Sequence, residues 1–357
     1  VSTAAKIETS RKRKVLEEYQ KSTLKKVIFL VCLGGLIVVM MIVSLILGPI
    51  RLPLHRVLAG FFGGGTDLER NVIWMIRLPR IITAIFGGMG LALCGTVMQS
   101  ILRNPIASPY TLGISQAAAF GAAFSIVVLG VLAGDSVLNF PYIISLAAFL
   151  FAMTPAVVIL LLVKRKGAHP ETMVLTGVAM GSVFVAGTTL LQYFATDVEL
   201  ASIVFWTFGD VGRTSWWNIF FIVLIITPLL IYFIAESVTY NVLNAEDETA
   251  LSLGVEVFSV RNRGMIITSF VTAFIVSFVG IIGFVGLVAP HIARKIIGGD
   301  ETFLLPSSAF IGGFILLSAD TAARTVLSPV VLPVGILTSF LGAPLFVYLV
   351  VKGKRFW

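Results

Sequence analysis

Charge is what this sequence has least of. Only 12% of its 357 residues are Asp, Glu, Lys or Arg, against 57% hydrophobic, whereas a soluble domain carries about 25% charged residues to keep its surface wet. The apolar residues outrun what one soluble core buries, so a bilayer is the place for the excess. Cysteine is nearly absent. Cys32 and Cys94 both fall inside apolar runs, which excludes a disulfide framework. His55, His169 and His291 are scattered, with no H-E-x-x-H and no metal-ligand spacing. There is no G-x-x-x-x-G-K-[S/T] loop, so the chain does not bind ATP in the usual way. Gly87–Gly90 lies within an apolar run, without the strand, turn and helix of a dinucleotide site. No motif points to a Ser-His-Asp triad. The net charge of +8 does not make a nucleic-acid binder, because Lys and Arg sit in short clusters between apolar runs instead of along one face.

What is present is length without charge. A helix needs about 20 mostly apolar residues to cross the hydrocarbon. Such runs occupy Val27–Leu47, Ile81–Leu102, Tyr110–Ala133, Pro141–Val163, Thr172–Ala195, Trp216–Ala235, Met265–Ala293, Phe303–Ala319 and Thr325–Val351. The run Met265–Ala293 has Arg261 and Arg263 before it and Arg294 and Lys295 after it. Basic residues at span ends favour the cytoplasm, so both ends should face inward. At about 1.5 Å per residue the run is too long for one crossing and too short for two full ones. Gly280, Gly283 and Gly286 sit where a helix is easiest to interrupt. One full helix, a glycine turn and a short returning helix resolve the conflict.

The expected fold is therefore an all-α polytopic membrane protein with ten transmembrane helices and both termini cytoplasmic. Residues 1–26 form a basic cytoplasmic tail before a retained first helix. Residues 27–351 form the membrane domain, with a polar loop over 236–264, and 352–357 a second cytoplasmic tail. Inside this scheme fall eight Lys and Arg of the first tail, Arg103, Lys164-Arg165-Lys166, Arg261, Arg263, Arg294, Lys295 and three near the C-terminus; seven fall outside. That is the positive-inside asymmetry. Gly177-x-x-x-Gly181, Gly113 with Ala117 and Gly121, and Gly87-Gly88 with Gly90 supply small residues for close helix packing. Ion-driven carriers keep ionisable groups in the membrane. The one strong candidate here is Asp320, with Arg324 one helical turn away as a local partner, so energy is expected from another subunit.

Four stretches carry the identity. They are Arg77-Leu78-Pro79-Arg80, just outside the second span with its arginines on one helical face; the proline turn Arg103-Asn104-Pro105-Ile106-Ala107-Ser108-Pro109; Leu243-Asn244-Ala245-Glu246-Asp247-Glu248-Thr249-Ala250-Leu251-Ser252-Leu253-Gly254; and Gly283-Phe284-Val285-Gly286-Leu287-Val288-Ala289-Pro290-His291, followed by Leu332-Pro333-Val334-Gly335 and Leu341-Gly342-Ala343-Pro344. In this order, from about residue 70 to the C-terminus, they resemble the type II permease subunits of ABC importers for iron-siderophores, haem and cobalamin.

The resemblance implies a role for each stretch. Arg77, Arg80 and Arg324 match positions that receive acidic residues of a substrate-binding protein, a task suited to guanidinium groups. Asp247, Ala250, Leu253 and Gly254 match the cytoplasmic coupling helices that dock into the ATPase, with Glu246 standing where a glycine is usual. Ala250, Leu251 and Leu253 form the apolar strip of such a helix. Asn104, Ile106, Pro170 and Glu171 match positions that close the pathway on the cytoplasmic side, and Thr172–Ala195 lines it. No cofactor binds this chain; ATP and magnesium belong to the ATPase. The implied partners are a second permease subunit, identical or paralogous, two ATP-binding subunits, a substrate-binding protein and the lipid bilayer. The implied location is a bacterial plasma membrane. An iron-siderophore is the expected cargo, with haem or cobalamin as alternatives. An ion-coupled secondary carrier is the rival from another class, and an intramembrane enzyme, which needs a catalytic cluster at one depth, is a second.

Overall fold

The computed structural model describes residues 2–130, 141–166 and 169–352. Residues 131–133 of the third apolar run, Gly167 and Ala168, and 353–357 of the second tail lie outside the described residues. The described residues are helical, without strands. In chain order the helices are α1 (Ser2–Ile46), α2 (Leu54–Phe61), α3 (Asp67–Asn71), α4 (Leu78–Leu102), α5 (Ile114–Phe124), α6 (Pro141–Lys166), α7 (Pro170–Phe194), α8 (Asp197–Thr207), α9 (Trp216–Ala235), α10 (Ser237–Leu243), α11 (Asp247–Ser252), α12 (Val257–Val279), α13 (Val285–Ile297), α14 (Glu301–Thr325) and α15 (Val334–Lys352). Seven helical stretches are long and apolar enough to cross a membrane, and Ile114–Leu129 and Val334–Tyr348 are shorter apolar ones.

Helix α4 is the axis of the bundle. Of its 25 residues all but Ile82 and Phe86 are buried, by α14, α12, α13 and α9 packed around it. Lipid supplies no hydrophobic force between helices, so contact depends on how closely backbones approach. At Gly88 a Cβ would lie 2.4 Å from the Gly312 carbonyl oxygen of α14, and at Gly95 one would lie 1.8 Å from that of Gly286 in α13. Helices α5, α6 and α7 form a second group, joined to the first through α12. Helix α7 buries only Met173, Gly177, Gly181, Phe184 and Thr188, one stripe at helical spacing. Its remaining face is open.

The glycine-broken run behaves as its charges require. Helix α12 ends at Val279, Gly280 takes φ +75°, and α13 starts at Val285. Arg261, near the start of α12, donates from Nε to the Ile101 carbonyl at 2.9 Å. Arg294, near the end of α13, donates to Gln99 Oε1 at 3.3 Å. Both acceptors belong to the last turn of α4, so the run leaves one end of the bundle and comes back to it. Lys26 reaches Asp300 at the same end, at 3.3 Å.

Several boundaries differ from those read off the sequence. Helix α1 continues through the basic tail as one helix of 45 residues. Arg77 and Arg80 are not outside the second span but inside a helical stretch that starts at Asp67 and runs through a π-helical segment, Val72–Arg77. The loop after α9 closes at Val257, not at Gly264. Helices α8 and α3 were not foreseen, although each opens with a reciprocal capping box, Thr196 with Glu199 and Thr66 with Glu69. The T-x-x-E spacing was available as a signal.

If backbone approach holds α4 to α13 and α14, Gly95→Val should cost at least about 3 kcal/mol through overpacking against a carbonyl that cannot retreat. Gly35→Ala, where a Cβ meets nothing within 4 Å, should be neutral. Thermal unfolding midpoints of the two variants in detergent check this.

Candidate functional site

The candidate residues gather into two polar clusters, one at each end of the α4–α14 pair. At the end that holds Lys26, the polar loop folds into the two short helices α10 and α11. Asp247 opens α11 and accepts two bonds from Arg261, both at 2.9 Å, and an ion pair from Arg103 at 2.5 Å. Arg103 also donates to the Leu243 carbonyl at 2.9 Å. Two arginines from the ends of α4 and α12 thus hold the start of α11 from both sides. Burial pushes the Asp247 pKa up, but the hydrogen bonds and charge of Arg261, then Arg103, outweigh it and set the pKa below its usual value.

Ala250 is fully buried beneath α11, whereas Leu251 and Leu253 are 59% and 64% exposed. The strip expected from the sequence is therefore divided: Ala250 packs inward and the two leucines face out. Gly254 closes the helix at φ +83°. Its N–H bonds the Leu251 carbonyl and that of Val255 bonds Ala250, the paired closure that a left-handed residue allows. Glu246, in place of the usual glycine, adopts an ordinary extended conformation before the helix, so the turn does not need glycine there.

At the opposite end the three arginines meet. Asp320, fully buried, accepts from Arg80 Nε at 2.6 Å and Arg324 Nε at 3.0 Å. Arg80 also pairs with Asp210 at 3.0 Å. Arg324 reaches Ser44 Oγ at 2.6 Å, and Arg77 donates to the carbonyls of Leu45, Ile46 and Ile50. Leu45 and Ile46 close α1, where cations are favoured, and Ile50 follows in the connection to α2. Arg77, Arg80 and Arg324 are only 3%, 8% and 5% exposed. Their guanidinium groups are engaged inside the chain, and Arg77 and Arg80 diverge toward different partners instead of sharing a face. Nearby, Trp216 donates to the Trp74 carbonyl at 2.9 Å, and Phe61 packs on Trp74 with ring centroids 5.4 Å apart; aromatic side chains favour a membrane interface.

The proline turn is built by Asn104. Its Oδ1 accepts the Ile106 N–H at 3.0 Å and its carbonyl accepts that of Ala107 at 3.0 Å. Ile106 is 49% exposed beside it. Pro170 and Glu171 form the first turn of α7, where proline lacks a donor that would go unpaired anyway and an acid favours the helix dipole. Two cavities open on the bundle, one beside α15 and one between α5 and α7. One of about 630 Å³ is lined by Phe208, Ile281, Gly335, Ser339, Phe340 and Pro344. The other, about 500 Å³, is lined by Tyr110, Gln116, Gly177, Gly181, Ser182 and Val185. Neither lining carries a charge. Asp210 was not singled out by sequence reasoning, and Arg103 and Arg261 were read only as marks of the cytoplasmic side; no local pattern pairs them with Asp247, although Arg261 lies just 14 residues from it.

A bundle of apolar helices with a docked pair of short polar-loop helices at one end defines a polytopic α-helical membrane permease. The chain belongs to the FecCD transport family, which matches residues 36–352. It is 51% identical over 340 residues to an ABC transporter permease protein of Methanocaldococcus jannaschii, covering 94% of this chain and 97% of the relative. It is 33% identical over 319 residues to the iron(3+)-hydroxamate import system permease of Bacillus subtilis, covering 89% and 95%. A solved metal-chelate type ABC transporter in an inward-facing conformation matches with a TM-score of 0.79 at 31% identity, covering 91% of this chain and 99% of that one.

Asp247 has its pKa lowered on folding, so its contribution to stability is complete above the unfolded carboxylate pKa and is lost as pH falls through the folded one. Its side chain is 46% exposed, so the expected contribution is about 1 kcal/mol after solvent screening. Asp247→Asn should loosen α11 at neutral pH as acid does in the unaltered protein. Limited proteolysis between Leu243 and Val257 reads this directly.

Proposed function

We propose that this chain is the membrane-spanning subunit of an ATP-driven importer for an iron-siderophore complex. The observation that carries this reading is α11. It is a short helix held by Arg103 and Arg261 through Asp247, with Leu251 and Leu253 left exposed for a partner. A side chain of that kind on a polar loop costs solubility unless something covers it, and the ATPase of the importer fits that requirement. The family and the iron(3+)-hydroxamate relative support the cargo class; haem and cobalamin remain the alternatives within the family.

In this reading the membrane domain crosses ten times, and the end bearing Lys26, Arg103, Arg261 and Arg294 is cytoplasmic. The return of α13 to the end where α12 began supports the count. A second permease subunit covers the open face of α7 and α15, so that the uncharged cavities beside Gln116 and Phe340 join a shared path closed near Asn104, Ile106, Pro170 and Glu171. Two ATPase subunits bind the α11 sides, and a substrate-binding protein docks at the Asp320 end. Because Arg77, Arg80 and Arg324 already have internal partners, a receptor carboxylate would have to exchange with one of them. Asp210, whose side chain is 34% exposed on Arg80, is the most accessible to replace.

An ion-coupled carrier is the competing reading. It predicts uptake that collapses with uncoupler and an active chain that needs no partner. Under the importer reading, tagged chain from native membranes brings down an ATPase subunit, and Leu253→Asp loses at least about tenfold of it, as burying a charge in an apolar contact requires. Undiminished recovery with Leu253→Asp would remove the docking assignment. Arg80→Glu should weaken receptor binding in a salt-dependent manner, and binding identical to that of the unaltered chain would remove receptor docking at this end.

A further inference from the structure

A second connection ties the coupling segment to the bundle, independent of Asp247. Ser237, Asn241 and Asn244 recur at i, i+4 and i+7 along α10, which sets them in one stripe. That stripe lies on the start of α14. Asn241 Oδ1 accepts the Glu301 N–H at 2.8 Å, and its Nδ2 donates to Asp300 at 3.0 Å. Asn244 Nδ2 donates to Glu301 Oε1 at 3.1 Å, and Ser237 faces Thr302 Oγ1 at 3.4 Å. From α4, Ser100 Oγ donates to the same Glu301 Oε1 at 2.6 Å. Glu301 is fully buried, and among the described residues its Oε2 has no hydrogen-bond partner; neither does Gln99 Nε2 or Asn244 Oδ1.

Such a cluster is a poor way to achieve stability alone. Apolar residues of similar volume in a buried ionic site are often as stable or more so. Apolar contacts, however, tolerate sliding, whereas a hydrogen bond weakens steeply once its angle or distance is lost. A buried carboxylate bonded at once to the coupling segment and to α4, at the first residue of α14, forces the three to move in register. We propose that Glu301 is the positioning residue through which α10 and α11 grip the α4–α14 pair, so that a displacement of the coupling segment is delivered to that pair instead of being absorbed within the loop. This rests on the importer reading. The expected signature is a loss of coupling without a loss of assembly.

The test uses the complete complex, permease with its ATPase subunits, in proteoliposomes, with chelate uptake and ATP hydrolysis measured on the same vesicles. Glu301→Ala leaves the exposed face of α11 untouched, so the ATPase should co-purify and hydrolyse ATP within about twofold of the unaltered complex, while uptake per ATP falls about fivefold or more. Glu301→Gln keeps an Oε1 acceptor for Ser100 and Asn244 and should restore at least about half of the ratio. Asn244→Ala combined with Glu301→Ala should be no worse than Glu301→Ala alone, since both remove the same link. An unchanged ratio in Glu301→Ala, or uptake and hydrolysis falling together as the ATPase is lost, overturns the proposal. Should Glu301→Ala fail to fold, Glu301→Gln and Asn241→Ala decide it: an unchanged ratio in Asn241→Ala with no rescue distinction from Glu301→Gln overturns it, and a lowered ratio in Asn241→Ala with intact assembly supports it. If unaltered vesicles show no ATP-dependent uptake of any ferric chelate, haem or cobalamin, the importer reading falls and takes this inference with it.

Discussion

The bundle depends on how closely α4 can approach α14 and α13. Inside a bilayer the apolar side chains gain nothing from leaving lipid for protein, so association comes from dispersion at short range and from polar bonds that have no alternative partner. Glycine at positions 88, 95, 286 and 312 removes the side chains that would hold the backbones apart. The contact this creates is intolerant of added volume, but it also makes the three helices one rigid body. The peripheral α7, which buries a single stripe, has no comparable hold and is the sort of element that a second subunit can use.

Polar ties finish what packing begins, and they sit at the helix ends for a physical reason. The last carbonyls of α1 and the first N–H groups of α14 have no intrahelical partners, and close to apolar surroundings each needs one. Arg77 and Arg324 supply the carbonyls of α1, and Asn241 supplies the first turn of α14. The same side chains then connect elements distant in sequence: Arg324 with Ser44, Arg80 with both Asp320 and Asp210. Arginine residues that look from the sequence like free surface charges are thus committed before any partner arrives. A carboxylate brought to these arginines from outside would meet an occupied network, so its binding energy would be reduced by whatever internal bond it replaced.

The run of spans was readable because hydropathy and Lys/Arg placement respond to the bilayer residue by residue. The break after Val279 was readable for the same reason, since two basic flanks and three glycines left one solution. The site was only half readable. Asp247 and Gly254 were marked only by the family pattern that they resemble, and the structure gives each a local reason, a helix start and a left-handed closure. Their partners Arg103 and Arg261 were not recognisable, because nothing in the sequence says that positions more than a hundred residues apart share one carboxylate. The outward or inward sense of Arg77, Arg80 and Arg324 was unreadable too. It turns on whether Asp320 and the end of α1 lie within reach, which is a tertiary fact. Helix α8 was missed for a different cause: its T-x-x-E start was visible, but the apolar-run criterion ignores helices of 11 residues.

Helix α14 unites these observations. Glu301 at its first residue belongs to the cluster around the coupling segment, and Asp320 belongs to the cluster at the far end, about 29 Å away along the axis. Between them the helix runs on through Pro306 and is locked to α4 at Gly312 and Gly313. Directional bonds at both ends resist a shift of one end alone, so a displacement moves the helix as a whole, bends it at Pro306 or breaks one cluster. The interrupted α12–α13 path differs: its backbone leaves the helical conformation between Val279 and Val285, and Gly280 packs there so closely that a Cβ would lie 2.6 Å from the Trp206 carbonyl oxygen. One polypeptide therefore sets a helix tied at both ends beside a path that starts and finishes at one end, and only the helix joins the Glu301 and Asp320 clusters directly.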